Sequence, residues 1–183
     1  MIKLDGKSCG SNGIPQSLIA LCLASLSVGA MAEDRNLSIG IGTQLMTLSS
    51  EDSGSHQVFV GPRVHLSAAH QYFRIGGTVY QTVNRDNPSM RLDGFALAIH
   101  AGVNLDRQGW TGFVGMGQFQ ETRLRDYQPE LEAVAYHASV GGGYHFKRCS
   151  LEAEWQWRGN PYGGLDAPAE TYMALGLTLS ARF

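Results

Sequence analysis

Glu170–Phe183, which reads Glu-Thr-Tyr-Met-Ala-Leu-Gly-Leu-Thr-Leu-Ser-Ala-Arg-Phe, decides the fold. From Met173 onward every second residue is apolar: Met173, Leu175, Leu177, Leu179, Ala181 and Phe183. The residues between them, Ala174, Gly176, Thr178, Ser180 and Arg182, are small or polar. A period of two marks a strand with one apolar and one polar face. A run of about 10 residues is also the length a tilted strand needs to cross a bilayer.

Seven earlier segments carry the same period. In Leu37–Leu48, Leu37, Ile39, Ile41 and Leu45 oppose Ser38, Gly40, Gly42 and Gln44. In Gln57–Ser67, Val58, Val60, Val64 and Leu66 oppose Gly61, Arg63 and His65, with Pro62 removing one ladder donor from the apolar face. Tyr72–Val83 sets Phe73, Ile75, Val79 and Val83 against Arg74, Gly76, Thr78 and Tyr80, and Arg91–Leu105 alternates similarly around His100. Trp110–Glu121 alternates worst, because Phe113 and Phe119 fall out of phase with Trp110, Val114 and Met116; its glycines are expected to mark a phase-switching bulge. Ala133–Phe146 and Ser150–Arg158 complete the set, giving eight strands with the terminal one.

The connections alternate as well. Ala68–Gln71, Asp106–Gly109 and Lys147–Cys149 are short, whereas Ser49–His56, Asn84–Met90, Thr122–Glu132 and Gly159–Ala169 are longer and polar. Short turns at one end and longer loops at the other are the pattern of an up-and-down transmembrane barrel.

The beginning of the chain reads differently. Lys3 and Lys7 precede the apolar run Leu18–Val28, which leads into Ala30-Met31-Ala32. A basic region, a short apolar core and a small-x-small site predict a secretory signal peptide over residues 1–32, leaving 33–183 as one barrel domain. The apolar run is too short for a membrane-spanning helix. A lipid anchor on Cys22 is disfavoured by the bulky Leu21 before it. Cys9 and Cys22 leave with the signal, so Cys149 remains with no intramolecular disulfide partner. Without Lys3, Lys7 and Asp5, 12 basic and 15 acidic residues remain, and Lys147 is the only lysine. Soluble proteins cover themselves with both signs of charge in quantity. This chain does not.

Period two alone leaves open which face is inside. A soluble periplasmic barrel would turn its apolar face inward around a small ligand. The glycine-rich polar phase, with scattered Arg, Glu and His, makes a poor water-facing exterior and a good crowded interior. Aromatics favour lipid too: Phe73, Trp110, Tyr144, Phe146 and Phe183 fall near the short-turn end, and Phe95, Tyr136, Trp155 and Trp157 toward the loops, as two interfacial girdles would. The fold class is therefore all-β, an eight-stranded antiparallel transmembrane barrel.

Residues 33–183, and above all the ending Leu-Thr-Leu-Ser-Ala-Arg-Phe, resemble the small eight-stranded outer-membrane proteins typified by OmpX and the OmpA transmembrane domain. The resemblance implies residence in the bacterial outer membrane among lipids and lipopolysaccharide. It also implies that Phe183, on its alternating strand, is the signal read by the barrel assembly machinery. The peptidoglycan-binding half of OmpA has no counterpart here.

Phase places Arg63, His65, Arg74, His100, Asn104, His137, His145, Glu152, Glu154, Arg158 and Arg182 in the lumen. An eight-stranded interior is just wide enough for side chains, so these are expected to form a self-satisfying plug rather than a diffusion pore. One pair suggests chemistry. His137 and Ser139 share a face, with Glu152 or Glu154 on the next strand as a possible orienting carboxylate. Outer-membrane lipid A deacylases such as PagL carry a His-x-Ser pair, which implies an acyl hydrolase as the alternative function. Val140 stands where that family has Asn, the pair is not on the penultimate strand, and its phase aims it away from lipid.

No other site emerges. The six histidines form no convergent metal set, no cofactor motif is present, and nothing resembles a nucleic-acid-binding patch. Glu51-Asp52 reads as a solvated loop tip. In the loop Thr122–Glu132, Arg123 and Arg125 beside Glu121, Asp126, Glu130 and Glu132 are either lipopolysaccharide phosphate contacts or a locally paired polar loop. Deleting Phe183, or replacing it by Asp, is expected to lower the outer-membrane level of the protein while signal cleavage proceeds. Fractionation and immunoblotting check this; an unchanged level contradicts it.

Overall fold

The alternation is realised as eight strands in the computed structural model, which describes residues 36–50, 56–125, 131–159 and 170–183. They are β1 (Leu37–Ser50), β2 (His56–His70), β3 (Phe73–Asn84), β4 (Met90–Val103), β5 (Gly109–Arg125), β6 (Leu131–His145), β7 (Cys149–Arg158) and β8 (Glu170–Arg182). The expected signal peptide, the Glu51-Asp52 pair and the loop residues Asp126 and Glu130 lie outside the described residues. Each strand pairs antiparallel with its sequence neighbours, and β8 pairs with β1, so the sheet is a closed barrel.

Closure is tied at the short-turn end by reciprocal backbone bonds: Phe183 N donates to Leu37 O at 2.8 Å and Leu37 N to Phe183 O at 3.4 Å. Following register partners from Leu37 through Ala68, Ile75, Ile99, Met116, Ala138, Trp157 and Met173 returns to β1 at Thr47, ten residues from the start. An even stagger keeps the two faces consistent around the circle. Ten residues climb about 33 Å across a girth of about 38 Å, which gives a strand tilt of about 40° and a backbone radius of about 8 Å.

The apolar phase faces outward. Ile41 is 68 % exposed, Met116 73 % and Trp110 76 %, whereas their inward neighbours Gln44, Arg63 and His100 are buried. The soluble ligand-binding alternative is thereby corrected, because it needs the reverse orientation. Both aromatic belts are in place. At the short-turn end Trp110 packs edge-on against Tyr144 at 5.4 Å and Tyr144 against Phe146 at 4.7 Å. Toward the loops Trp155 and Trp157 lie 6.4 Å apart.

Three expectations need correction. β5 has no bulge: its pairing runs unbroken from Met90↔Arg125 to Val103↔Gly112 on one side and from Gly109↔His145 to Arg123↔Leu131 on the other. Phe113 and Phe119 are out of the apolar phase because they point into the lumen, where both are buried. Asn104 is not in the lumen. It sits exposed at positive φ in the β4–β5 turn, donating to Trp110 O at 3.0 Å. The strict alternation of connection lengths is not kept: 104–108 between β4 and β5 is as long as 51–55, 85–89 and 126–130, since β1, β5 and β6 run further toward the loops than their apolar patterns extend. Pro62 costs little: the β2–β3 ladder skips Gly61 and Pro62 and resumes in register at Arg63↔Tyr80.

A lipid-facing wall makes a sharp prediction. Ile99→Arg, at mid-height on β4, should destabilise the barrel in vesicles by about 2–4 kcal/mol, and Val58→Arg near the loop end by at most about 1 kcal/mol. Urea titrations in phospholipid vesicles check this, and equal effects would contradict it.

Candidate functional site

The lumen is where ionisable side chains gather. Every inward strand position offers a side chain to a cylinder too narrow for water to fill, so each charge there requires a partner. They come in three layers.

Toward the loops, Arg158 and Glu121 form an ion pair at 2.5 Å with both side chains buried. Tyr80 OH donates to Glu121 Oε1 at 2.5 Å, and Tyr172 OH reaches Oε2 at 2.6 Å. Arg158 Nε and Nη2 donate to Gln156 Oε1 at 3.0 and 2.8 Å. Its guanidinium also lies over the Phe119 ring at 4.6 Å. Met46, Phe59, Met90 and Leu92 pack with these aromatic rings as an apolar cluster inside the barrel.

At mid-height, Arg63 Nη2 donates to Glu154 Oε2 at 3.1 Å and to Thr78 Oγ1 at 3.3 Å, while Nη1 donates to Gln44 Oε1 at 3.1 Å. His100 Nε2 meets the other oxygen of Glu154 at 3.3 Å. His65 Nδ1 shares Thr78 Oγ1 at 2.9 Å. Gly176 makes room for this layer: a Cβ there would land on the Arg63 guanidinium.

At the short-turn end, Arg74 Nη1 donates to Glu152 Oε2 at 2.6 Å, and His145 Nε2 meets Glu152 Oε1 at 2.7 Å. Arg74 stacks over Phe113 at 4.2 Å. Arg182 donates to the backbone oxygens of Asp106 and Arg107 in the β4–β5 turn. A polar recess of about 10 Å³ lies among Ser38, Ser67, Arg74, His145, Glu152 and Arg182. That is room for about one water.

All the lumen residues named from phase, Asn104 apart, thus point inward, and the structure distributes them among these layers. It does not assemble the hydrolase constellation. His137 and Ser139 are buried on the lumen face, yet neither ring nitrogen of His137 nor Oγ of Ser139 has a hydrogen-bond partner among the described residues. Glu152 is held by Arg74 and His145, and it pairs in register with Gly143 while His137 pairs with Arg158. Six residues of β7 separate the two levels, about 20 Å of strand. Glu152 therefore cannot orient His137.

Glu121 is the main residue that sequence reasoning misplaced. It ends the fifth segment, beside a polar loop, and is absent from the lumen set read from phase, yet it is fully buried. Phe113, Phe119 and Glu121 share one parity, and a single-phase reading of β5 would have found all three. Arg123 likewise belongs to β5 and donates to Gln57 Oε1 at 3.2 Å. The described residues contain no group of three metal-ligating side chains.

A closed eight-stranded antiparallel barrel, apolar outside and ion-paired within, is the fold of the small outer-membrane barrels, and its exterior belongs in the bacterial outer membrane. Among solved structures the chain is similar to Neisserial surface protein A, with TM-score 0.65 and 10 % identity over 80 % of this chain and 97 % of that one. It is also similar to Ail, the attachment invasion locus protein of Yersinia pestis, with TM-score 0.54 and 12 % identity over 82 % of this chain and 99 % of that one. At such identities the likeness is one of fold. No protein-family model and no curated protein matches the sequence.

Glu121→Ala should cost about 3–5 kcal/mol by stranding the Arg158 charge. Glu121→Leu combined with Arg158→Met should cost less than either single change. Urea unfolding in detergent or vesicles checks both, and additive losses would contradict the pairing.

Proposed function

We propose that the chain is a non-enzymatic outer-membrane barrel whose lumen is a structural plug, and that it serves envelope structure or surface interaction through the loops joining β1–β2, β3–β4, β5–β6 and β7–β8. The observation that carries this reading is the stacking of three ion-paired layers along the lumen, Arg158–Glu121, Arg63–Glu154 and Arg74–Glu152. Each acidic group has its cation within hydrogen-bond distance. Side chains committed in this way fix the barrel wall and leave no continuous aqueous path.

Against acyl hydrolysis stands the placement of His137 and Ser139. Acyl chains of a lipid substrate lie outside the wall, and both side chains lie inside it. A nucleophile also needs its base within hydrogen-bond reach, and Ser139 Oγ has no partner among the described residues. Assembly through Phe183 and contact with lipopolysaccharide complete the proposal as its expected partners.

Two measurements test it. Purified barrel in planar bilayers should show no steady ohmic conductance. Lipid A extracted from cells expressing the wild type, the Ser139→Ala variant or neither should carry the same acyl chains. Loss of an acyl chain that depends on Ser139 would replace this reading with the hydrolase.

A further inference from the structure

The outward face is not uniformly apolar. On β3, β4 and β5, toward the loop end, it carries Gln81, Asp93, Gln118, Gln120 and Thr122, all in the lipid-facing phase. The register gathers them. Gln81 pairs with Asp93 and Asp93 with Thr122, while Gln120 is opposite Phe95 and Gln118 lies between Leu97 and Tyr136. Elsewhere around the barrel the same height is mostly apolar, with Thr47 on β1 the polar exception. Walking the register puts Leu45, Val60 and Met173 within about 3 Å of the height of Gln81 and Gln120, at ~2.5 Å per residue on strands tilted about 40°. The polar patch is therefore one-sided and sits beside the aromatic belt of Phe95 and Tyr136.

Polar groups facing lipid are costly unless something polar meets them. Among the described residues nothing does. The amides of Gln81, Gln118 and Gln120 have no side-chain partner among the described residues. Asp93 Oδ1 and, two residues nearer the loops, Arg91 Nε are shielded from solvent and also lack a partner among the described residues. Carboxamides offer both donors and acceptors, the complement of sugar hydroxyls. Tyr136, 74 % exposed, presents a ring beside Gln118 on which a sugar face can rest. The Arg91 guanidinium, nearer the loops, matches a phosphate.

We propose that the outward face of β3–β5 at the loop end is a docking surface for the phosphorylated saccharide headgroup of a membrane glycolipid. The proposal rests on the reading of the chain as a passive outer-membrane barrel, and it names the partner of that barrel's wall. A second copy of the chain, paired patch to patch, is the competing occupant. It is less favoured because the amides lie at the height of the aromatic belt, where headgroups begin, and not in the middle of the hydrocarbon.

The test uses the folded barrel in phosphatidylglycerol vesicles with and without rough lipopolysaccharide. In wild type, lipopolysaccharide should raise the urea midpoint. The triple variant Gln81→Leu/Gln118→Leu/Gln120→Leu should insert equally well and lose the rise. A spin label on the saccharide should broaden the side-chain amide signals of Gln118 and Gln120 and spare the lumen amide of Gln44. An equal rise in the triple variant, no rise in wild type, or broadening only by a spin-labelled second barrel overturns the docking surface. Failure of wild type to insert into plain phosphatidylglycerol would instead count against the underlying barrel reading.

Discussion

Backbone hydrogen bonding is the constraint on which everything else in this molecule depends. Hydrocarbon offers no water to an unpaired N–H or C=O, so a sheet there must have no open edge. The β1–β8 seam meets that demand, down to the reciprocal bonds between Leu37 and Phe183 at its end. Once the sheet is closed with eight strands and a stagger of ten residues, the radius follows. A radius of about 8 Å then dictates the interior. Side chains fill it, and glycines must alternate with the long ones.

The ion pairs are consequences of that geometry. With half of all strand residues turned into a narrow cylinder, the polar phase has to satisfy itself. Arg63 reaches across to Glu154 because Gly176 leaves the space, and Arg158 is boxed between Glu121 and aromatic rings. Such buried pairs contribute little net stability over an apolar core, yet losing one partner is expensive. They hold the wall in one arrangement and fill the lumen between the strands. The passive function we propose rests on the size of the barrel as much as on any residue in it.

Most of the fold was legible because lipid rewards strict alternation. Met173–Phe183, Leu37–Leu45 and Ser150–Arg158 each read correctly from parity alone. β5 did not, and the reason is physical. An aromatic ring in a sequence is taken as lipid-facing, but Phe113 and Phe119 serve as inward faces on which Arg74 and Arg158 rest. Glu121 was missed for the same reason: it shares the parity of the two phenylalanines, and its partners Arg158, Tyr80 and Tyr172 come from distant strands. Parity gave the lumen membership of Glu152 and His137, but their separation along the ladder needed the register between β6 and β7.

The central claim is that the apolar phase touches lipid and the polar phase does not. Its most direct measurement is the accessibility of successive β8 positions, Leu177, Thr178, Leu179 and Ser180, to spin-labelled lipid chains in a bilayer. The account predicts strong relaxation at Leu177 and Leu179 and little at Thr178 and Ser180. Relaxation of the polar pair, or none at either leucine, would contradict it.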